Sequence, residues 1–264
     1  MRIGFIGGGA MGEALVSSFL KANAIQASEV IVSDVAEARR EQLASEYGVA
    51  VTDDNAEAVA NADIVVLAVK PQEFSNVAAP LKGTLISNTT VLSIMAGVSI
   101  ERIASGLGHD AIVRVMPNTA AFVGEAMSVW NASDTVADEA KSNIAGLLAT
   151  MGRELEVGDE SYLDMATAVN GSGPGFVFYF LEGLIDGAQK VGFARDQAEA
   201  LAVQTLYGSA LLARESDKDA GALREMVTSK GGTTAAGLQA LDEAGVRGAI
   251  ASAVVAAHER AKEL

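Results

Sequence analysis

The chain has 264 residues, of which 50% are hydrophobic and 20% are charged, with a formal net charge of −15 at pH 7 and no cysteine. This composition supports one large or two ordinary folded domains and argues against disorder. The negative charge argues against nucleic acid and anionic membranes as partners, and the lack of cysteine excludes disulfides and thiol chemistry. Because no apolar run reaches the roughly 18 residues of a membrane-spanning helix, we expect a cytoplasmic protein.

The first part of the chain alternates short apolar runs with helical patterns. The predicted strands cover residues 3–6, 29–33, 49–51, 63–69, 91–95 and 111–116, and two further strand signals lie at 126–130 and 154–157. Helices are predicted at residues 10–22, 36–47 and 99–107. This alternation predicts an α/β fold with a Rossmann-type, doubly wound parallel sheet and right-handed crossovers.

Beyond Asp159 the strand signals end and alanine-rich helical patterns follow. These patterns cover residues 174–191, 195–214, 220–227, 233–244 and 246–262. We therefore predict a first domain over residues 1–160 and an all-helical domain over residues 161–264. Large apolar side chains surround the first of these helices almost completely, which predicts that a second copy of the chain covers it.

A glycine turn joins the first predicted strand to the first helix. Gly7, Gly9 and Gly12 have the spacing in which the first glycine allows a tight turn, the second admits a pyrophosphate and the third lets the helix pack on the strand. Because a strand precedes this turn and a helix follows it, we favour dinucleotide binding over a purely structural turn.

Ser33 and Asp34 end the second predicted strand. An acidic residue at this place binds a ribose diol and disfavours a 2′-phosphate, although Asp34 is also placed to cap the helix that starts near Ala36. Arg39 and Arg40 offer a phosphate a cation. This segment alone leaves the choice between NAD and NADP open.

The fourth strand ends in Ala68, Val69, Lys70 and Pro71, at the carboxyl edge of the sheet where such folds bind ligands. Lys70 there either meets cofactor or substrate or is a solvated strand-end lysine. Farther along, Asn170–Gly175 is rich in glycine, and this segment equally indicates tight helix packing and close approach of a nicotinamide.

A second candidate site opens a helix near the C-terminus. Ser229, Gly231, Gly232, Thr233 and Thr234 present hydroxyl and backbone N–H groups at the positive end of that helix, an arrangement suited to a small anion such as a carboxylate. The alternative is a simple helix cap, but the segment has more hydroxyls and glycines than a cap requires. No metal-ligand cluster or Ser/His/Asp triad is visible.

Together these motifs resemble the pyrroline-5-carboxylate reductase family over essentially the whole chain. The resemblance rests on residues 4–12, 68–72, 96–97, 113–119, 171–174 and 227–234, the last being the family's signature. The chain departs from the family pattern at three positions. Ala120 and Lys230 stand where other members often have proline, and Asn170 stands where they usually have serine. Asp34 and Val35 replace a neutral polar residue beside an arginine, which leaves the cofactor preference open.

The resemblance implies hydride transfer from a nicotinamide to the imine carbon of 1-pyrroline-5-carboxylate, giving L-proline in the last step of proline biosynthesis. It implies NADPH as cofactor, with NADH as the weaker alternative. The implied cofactor-binding residues are Ile6, Gly7, Gly8, Gly9, Ala10, Met11, Ser33, Asp34, Asn55, Ala68, Val69, Lys70, Pro71 and Asn118.

At the substrate, the resemblance implies that Thr234 hydrogen-bonds the ring nitrogen. Ser229 and the backbone N–H groups of Gly231, Gly232 and Thr233 are expected to hold the carboxylate, so Thr234 and Ser229 are the catalytic candidates. The family also implies a homodimer formed through the helical domain, with further assembly into a ring of dimers.

Two other functions remain as alternatives. A β-hydroxyacid dehydrogenase shares the opening motif, but it needs a lysine soon after a glycine-rich stretch, and the first lysine after Gly175 is Lys190. A non-catalytic, dinucleotide-binding regulatory protein is disfavoured by the hydroxyl-rich segment at Ser229–Thr234.

Overall fold

The structure is a computed structural model that describes residues 1–263; Leu264, the last residue of the predicted helical domain, lies outside the described residues. The chain divides into two compact units. Met1–Ser172 and the end of the chain from Ala257 form the first unit, and Gly173–Ala256 forms the second. The domain division at residues 160 and 161 stays a prediction.

One eight-stranded sheet forms the centre of the first unit, in the order β3-β2-β1-β4-β5-β6-β7-β8. Its strands are β1 Ile3–Ile6, β2 Val30–Ser33, β3 Ala50–Thr52, β4 Ile64–Leu67, β5 Thr90–Ser93, β6 Ile112–Met116, β7 Ala126–Ala132 and β8 Gly152–Glu156. Every neighbouring pair is parallel apart from β6 and β7. From β1 the chain adds β2 and β3 on one side and then β4 and the following strands on the other side. This arrangement confirms the predicted doubly wound α/β fold.

The antiparallel pairing of β6 and β7 shows that the prediction of a parallel sheet was wrong for the strand at residues 126–130. The reason is the short connection between the two strands. Only a 3₁₀ turn at Thr119–Val123 lies between Met116 and Ala126. A parallel return needs a crossover of a dozen or more residues, usually containing a helix. The chain therefore reverses beside β6, and β8 then runs parallel to β7 after a helical crossover.

The helices of the first unit cover both faces of the sheet. They are α1 Ala10–Lys21, α2 Glu37–Tyr47, α3 Asn55–Val59, α4 Phe74–Leu81, α5 Ile100–Leu107, α6 Asp138–Ala149 and α7 Tyr162–Ala166. Successive side chains of a strand point to opposite faces, so Ile3 and Phe5 join the core cluster of α1, α2 and α6. Ile6 points the other way, into the cluster that includes α4 and α5.

The second unit is helical, as predicted. Its helices are α8 Gly173–Lys190, α9 Arg195–Glu215, α10 Ala220–Met226, α11 Thr233–Glu243 and α12 Val246–Ala261, whose last turn belongs to the first unit. Helix α8 contains no buried residue, although it is rich in aromatic side chains. Phe178 is 58% exposed and Tyr179 is 80% exposed. Among residues 1–263, no helix has the length and apolar character required to cross a membrane.

Gly4 provides a test of how closely the first unit is packed. A Cβ added at this central position of β1 would lie 2.0 Å from the carbonyl oxygen of Ala58 in α3. We expect Gly4→Ala to lower the free energy of unfolding by about 2–4 kcal/mol, because the helix backbone must move. Gly146→Ala is the control, since Gly146 lies in α6 with nothing within 4 Å of such a Cβ. Urea unfolding that shows equal stability for both variants would contradict this close packing.

Candidate functional site

The glycine turn after β1 exposes the start of α1. Gly7 has φ +98°, and a Cβ there would lie 2.7 Å from the carbonyl oxygen of Ala68. A Cβ at Gly12 would lie 2.4 Å from the carbonyl oxygen of Gly7, whereas a Cβ at Gly9 would meet nothing within 4 Å. Gly9 is the N-cap residue of α1, and its helix start carries no side-chain cap. The open space at Gly9 and the uncapped N–H groups fit a pyrophosphate.

Two side chains from the β2–α2 segment hold the backbone N–H and the backbone carbonyl of Gly8. The N–H of Gly8 donates to Oδ2 of Asp34 at 2.8 Å, and Nε of Arg39 donates to the carbonyl oxygen of Gly8. Oδ1 of Asp34 accepts from the N–H of Ala36 at 2.9 Å. Helix α2 begins at Glu37 with Ala36 as an N-cap that makes no side-chain cap bond. Asp34 therefore anchors the glycine turn and the residue before α2 rather than acting as the N-cap.

Ser33 and Asn55 lie together beside Asp34. Ser33 is buried at the carboxyl end of β2, and its hydroxyl donates to Oδ1 of Asn55 at 2.6 Å. Asn55 is the first residue of α3. The structure thus brings three predicted cofactor-binding residues to one edge of the sheet.

The Ala68–Pro71 segment follows β4 at the same edge. The carbonyl oxygen of Ala68 is the atom closest to the position that a Cβ would occupy at Gly7. Lys70 is exposed and is the N-cap of the 3₁₀ turn that starts at Pro71. The segment therefore lies beside the glycine turn, as the sequence predicts for a ligand-binding edge.

Asn118 and Asn170 form a hydrogen-bonded pair at the end of β6. Nδ2 of Asn118 donates to Oδ1 of Asn170 at 2.7 Å. Nδ2 of Asn170 donates to the carbonyl oxygens of Met116 at 2.9 Å and Met127 at 2.8 Å. Asn170 lies in a π-helical turn, Thr167–Gly171, and such turns often occur at functional sites. Asn118 is a predicted cofactor-binding residue, whereas no local pattern in the sequence indicates that Asn170 holds it and the ends of β6 and β7.

A buried arginine of β6, Arg114, forms ion pairs with two carboxylates close to this end of the strand. The side chain of Arg114 is only 5% exposed, and its guanidinium pairs with Oε1 of Glu160 at 2.8 Å and Oδ1 of Asp164 at 3.1 Å. Oε1 of Glu160 also accepts from the N–H of Ile100, at the start of α5. One cation on β6 therefore holds α7 and the start of α5 in place.

Arg39 also belongs to an ion pair beside the glycine turn. Its Nη2 lies 2.5 Å from Oε2 of Glu13, in the first turn of α1. Oε1 of Glu13 accepts from the hydroxyl of Tyr47 at 3.0 Å. Burial opposes ionisation of Glu13, but hydrogen bonds from Arg39 and Tyr47 and the charge of Arg39 bring the pKa of Glu13 below its ordinary value. Burial, together with the Glu13 carboxylate, raises the pKa of Tyr47 to about 12.

The hydroxyl-rich segment of the second unit joins α10 to α11. Gly231 has φ +71°, a conformation that favours glycine. Gly232 is the N-cap of α11, without a side-chain cap bond, and its own φ of −79° suits any residue. A Cβ at Gly232 would instead lie 2.3 Å from Oγ of Ser229. A side chain at residue 232 would therefore require the Ser229 hydroxyl to move away from its present position.

The five predicted substrate-binding residues therefore lie in one exposed turn and the first turn of a helix. The N–H of Gly232 donates to the carbonyl oxygen of Ser229 at 3.0 Å, which closes the turn. Thr233 and Thr234 begin α11, whose 11 residues give it the positive N-terminal end expected of a helix. Such a turn suits a carboxylate bound by N–H and O–H donors.

Two family models match the chain. The model described as pyrroline-5-carboxylate reductase dimerisation matches residues 160–264. The model described as NADP oxidoreductase, coenzyme F420-dependent, matches residues 2–97.

Proteins with similar sequences, and solved structures with similar folds, match this chain over essentially its full length. The chain is 39% identical to a pyrroline-5-carboxylate reductase of Synechocystis sp., covering 100% of this chain and 98% of that protein. A solved pyrroline-5-carboxylate reductase of Coxiella burnetii has a TM-score of 0.91 at 34% identity, covering 99% of this chain and 97% of that one. A Plasmodium falciparum pyrroline carboxylate reductase with NADP bound has a TM-score of 0.91 at 30% identity, and the match covers 100% of this chain and 97% of that one.

The asparagine pair yields a prediction about stability. Asn170→Leu removes three hydrogen bonds and leaves the carbonyl oxygens of Met116 and Met127 without this donor. We expect the free energy of unfolding to fall by about 1–3 kcal/mol, because a buried acceptor without a partner is costly. Ser172→Ala, two residues away in the same segment, is the control and is expected to change it by less than about 0.5 kcal/mol. Equal unfolding midpoints for the two variants in urea would contradict the anchoring function of Asn170.

Proposed function

Because the chain belongs to the pyrroline-5-carboxylate reductase family, we propose that it reduces 1-pyrroline-5-carboxylate to L-proline in the last step of proline biosynthesis. The observation that carries this proposal is the turn at Ser229–Thr234. It combines an uncapped helix start with a serine hydroxyl beside the N-cap glycine. A cyclic imine that bears a carboxylate needs both an anion site and a hydrogen-bonding group for its nitrogen.

The substrate carboxylate binds to the hydroxyl of Ser229 and the backbone N–H groups of Gly231, Gly232 and Thr233, of which the N–H of Gly232 must first leave the carbonyl oxygen of Ser229. These donors hold the ring in one orientation, and positioning of this kind lowers the barrier without any strong acid. The hydroxyl oxygen of Thr234 accepts a hydrogen bond from the protonated ring nitrogen. A nicotinamide held by the cofactor-binding residues would supply the hydride that the imine carbon accepts. Since the iminium nitrogen already carries its proton, the product is the amine of proline.

NADPH is the proposed cofactor, with NADH as a weaker alternative. The open space at Gly9 and the uncapped N-terminus of α1 are suited to the pyrophosphate. The residues proposed to hold the cofactor are Ile6 to Met11, Ser33, Asp34, Asn55, Ala68 to Pro71 and Asn118. The NADP-type family model and the NADP-bound relative support the phosphorylated form. Because NADPH and NADH are intracellular reductants, we also propose a cytoplasmic location.

The chain forms homo-oligomers through its helical unit, and we propose a homodimer as the building block of a ring. The second unit contains an apolar cavity of about 770 Å³, lined by residues that include Phe176, Phe180, Leu184, Leu206, Leu241 and Ile250. Tyr179, which also lines this cavity, is 80% exposed in the single chain, and clustered exposed apolar side chains mark an interaction site. The match of residues 160–264 to the dimerisation model supports a second copy as the partner.

Thr234→Ala tests the proposed hydrogen bond between the Thr234 hydroxyl and the ring nitrogen. We expect kcat/KM for pyrroline-5-carboxylate to fall about 10- to 1000-fold, the range for one lost catalytic hydrogen bond, while cofactor affinity stays unchanged. Thr228→Ala is the matched control, because the Thr228 hydroxyl already donates to the carbonyl oxygen of Arg224 at 2.6 Å. Steady-state kinetics in which both variants match the unmodified enzyme would remove Thr234 from the mechanism.

Phe180→Glu tests the proposed dimer surface. Phe180 lines the apolar cavity and is 41% exposed in the single chain. A carboxylate there would lose its hydration on association, so we expect the oligomer to dissociate, as measured by sedimentation velocity. Leu155→Glu is the control, since Leu155 is 48% exposed on β8 of the first unit. Dissociation of both variants, or of neither, would count against this surface.

Asp34→Asn tests the effect of the carboxylate on cofactor choice. Removing the charge relieves repulsion of a 2′-phosphate, so we expect the NADPH/NADH ratio of kcat/KM to rise about three- to tenfold. Asp138→Asn is the control, because it removes the same charge from an exposed residue at the start of α6. An unchanged ratio in Asp34→Asn, or an equal rise in Asp138→Asn, would show that Asp34 acts only on the glycine turn.

A further inference from the structure

The cations nearest to Asp34 are already engaged by protein groups. Val35, directly after Asp34, is 95% exposed and carries no charge. The next cationic residues along the chain are Arg39 and Arg40, in the first turn of α2. A 2′-phosphate bound beside Asp34 would have to draw on one of these two side chains for a counter-charge.

Arg39 has all three guanidinium nitrogens occupied. Nε donates to the carbonyl oxygen of Gly8, Nη1 donates to Oε1 of Gln42 at 2.9 Å, and Nη2 pairs with Oε2 of Glu13 at 2.5 Å. The side chains of Arg39 and Glu13 are 20% and 15% exposed, so solvent screens this ion pair less than a surface pair. The guanidinium is held against the glycine turn.

Arg40 is engaged as well. Its Nη1 donates to the carbonyl oxygen of Asp34 at 2.8 Å, and its Nη2 lies 4.0 Å from Oδ2 of Asp53. The Asp53 side chain is 76% exposed, which makes this second contact weak. Of the two arginines, only Arg39 is held by a partly buried carboxylate.

We propose that Glu13 is a specificity-determining residue that limits the preference for NADPH by holding Arg39 in its ion pair. This proposal rests on the proposed use of NAD(P)H. For Arg39 to serve a 2′-phosphate, the Glu13–Arg39 pair must loosen, and the cost of loosening appears as a weaker apparent affinity for the phosphorylated cofactor. NAD lacks the phosphate and makes no such demand. Tyr47 strengthens the effect because its hydroxyl holds the other oxygen of Glu13.

Calorimetric titration of the full-length protein with NADP⁺ and NAD⁺, without pyrroline, tests the proposal through the ratio of the two dissociation constants. We expect Glu13→Gln to shift the ratio in favour of NADP⁺ by about three- to tenfold, the worth of one partly screened ion pair. Glu37→Gln removes the same charge from an exposed site at the start of α2 and is expected to leave the ratio within about twofold. The double variant Glu13→Gln/Arg39→Gln should lose the gain, because the gain requires Arg39.

An unchanged ratio in Glu13→Gln would overturn the proposal, as would an equal shift in Glu37→Gln or a gain that persists without Arg39. If Glu13→Gln does not fold, Tyr47→Phe serves as the test instead, because it removes only the hydroxyl that bonds Glu13. It should shift the ratio of dissociation constants in favour of NADP⁺ by a smaller factor than Glu13→Gln. No shift in Tyr47→Phe would then overturn the proposal. Because these titrations contain no pyrroline, they remain interpretable even if the protein does not reduce pyrroline-5-carboxylate.

Discussion

The first unit depends on one constraint, which is that the backbone from β1 to α1 passes too close to its neighbours to carry side chains. The spaces that a Cβ would take at Gly4, Gly7 and Gly12 lie within 3 Å of the carbonyl oxygens of Ala58, Ala68 and Gly7. These contacts bring α3 onto β1 and fix the position of α1 at the edge of the sheet. They also leave the start of α1 uncapped and accessible at Gly9, which is the feature that a pyrophosphate requires.

The polar side chains around this turn hold one another in place without a ligand. Asp34 and Arg39 hold the backbone N–H and the backbone carbonyl of Gly8, and the Ser33 hydroxyl donates to Asn55. A site arranged in this way loses little conformational entropy on binding. The same arrangement has a consequence for specificity, because an arginine that is bound to Glu13 serves a 2′-phosphate only at a cost.

The sequence predicted some parts of this structure closely and others not at all. Helices α8 to α12 match their predicted ranges to within about one residue at each end, because strong breaks such as Gly192 and Gly231-Gly232 separate them. The reversal at β7 was not predicted, since an apolar run does not reveal the direction of its strand. The pairing of Glu13 with Arg39, and of Arg114 with Glu160, joins residues distant in sequence, and no local pattern indicates such a contact. The contact between residue 232 and Ser229 could not be predicted either, because the sequence does not show that the Ser229 hydroxyl turns back into the space beside Gly232.

The most direct test of the central claim is to measure how much L-proline forms for each NADPH consumed when the protein is mixed with pyrroline-5-carboxylate. The account predicts one proline for each NADPH oxidised, at a rate proportional to enzyme concentration. If calorimetry showed dinucleotide binding but no proline formed beyond the level of the protein-free mixture, the protein would be a dinucleotide-binding protein without this activity, and the account would be contradicted.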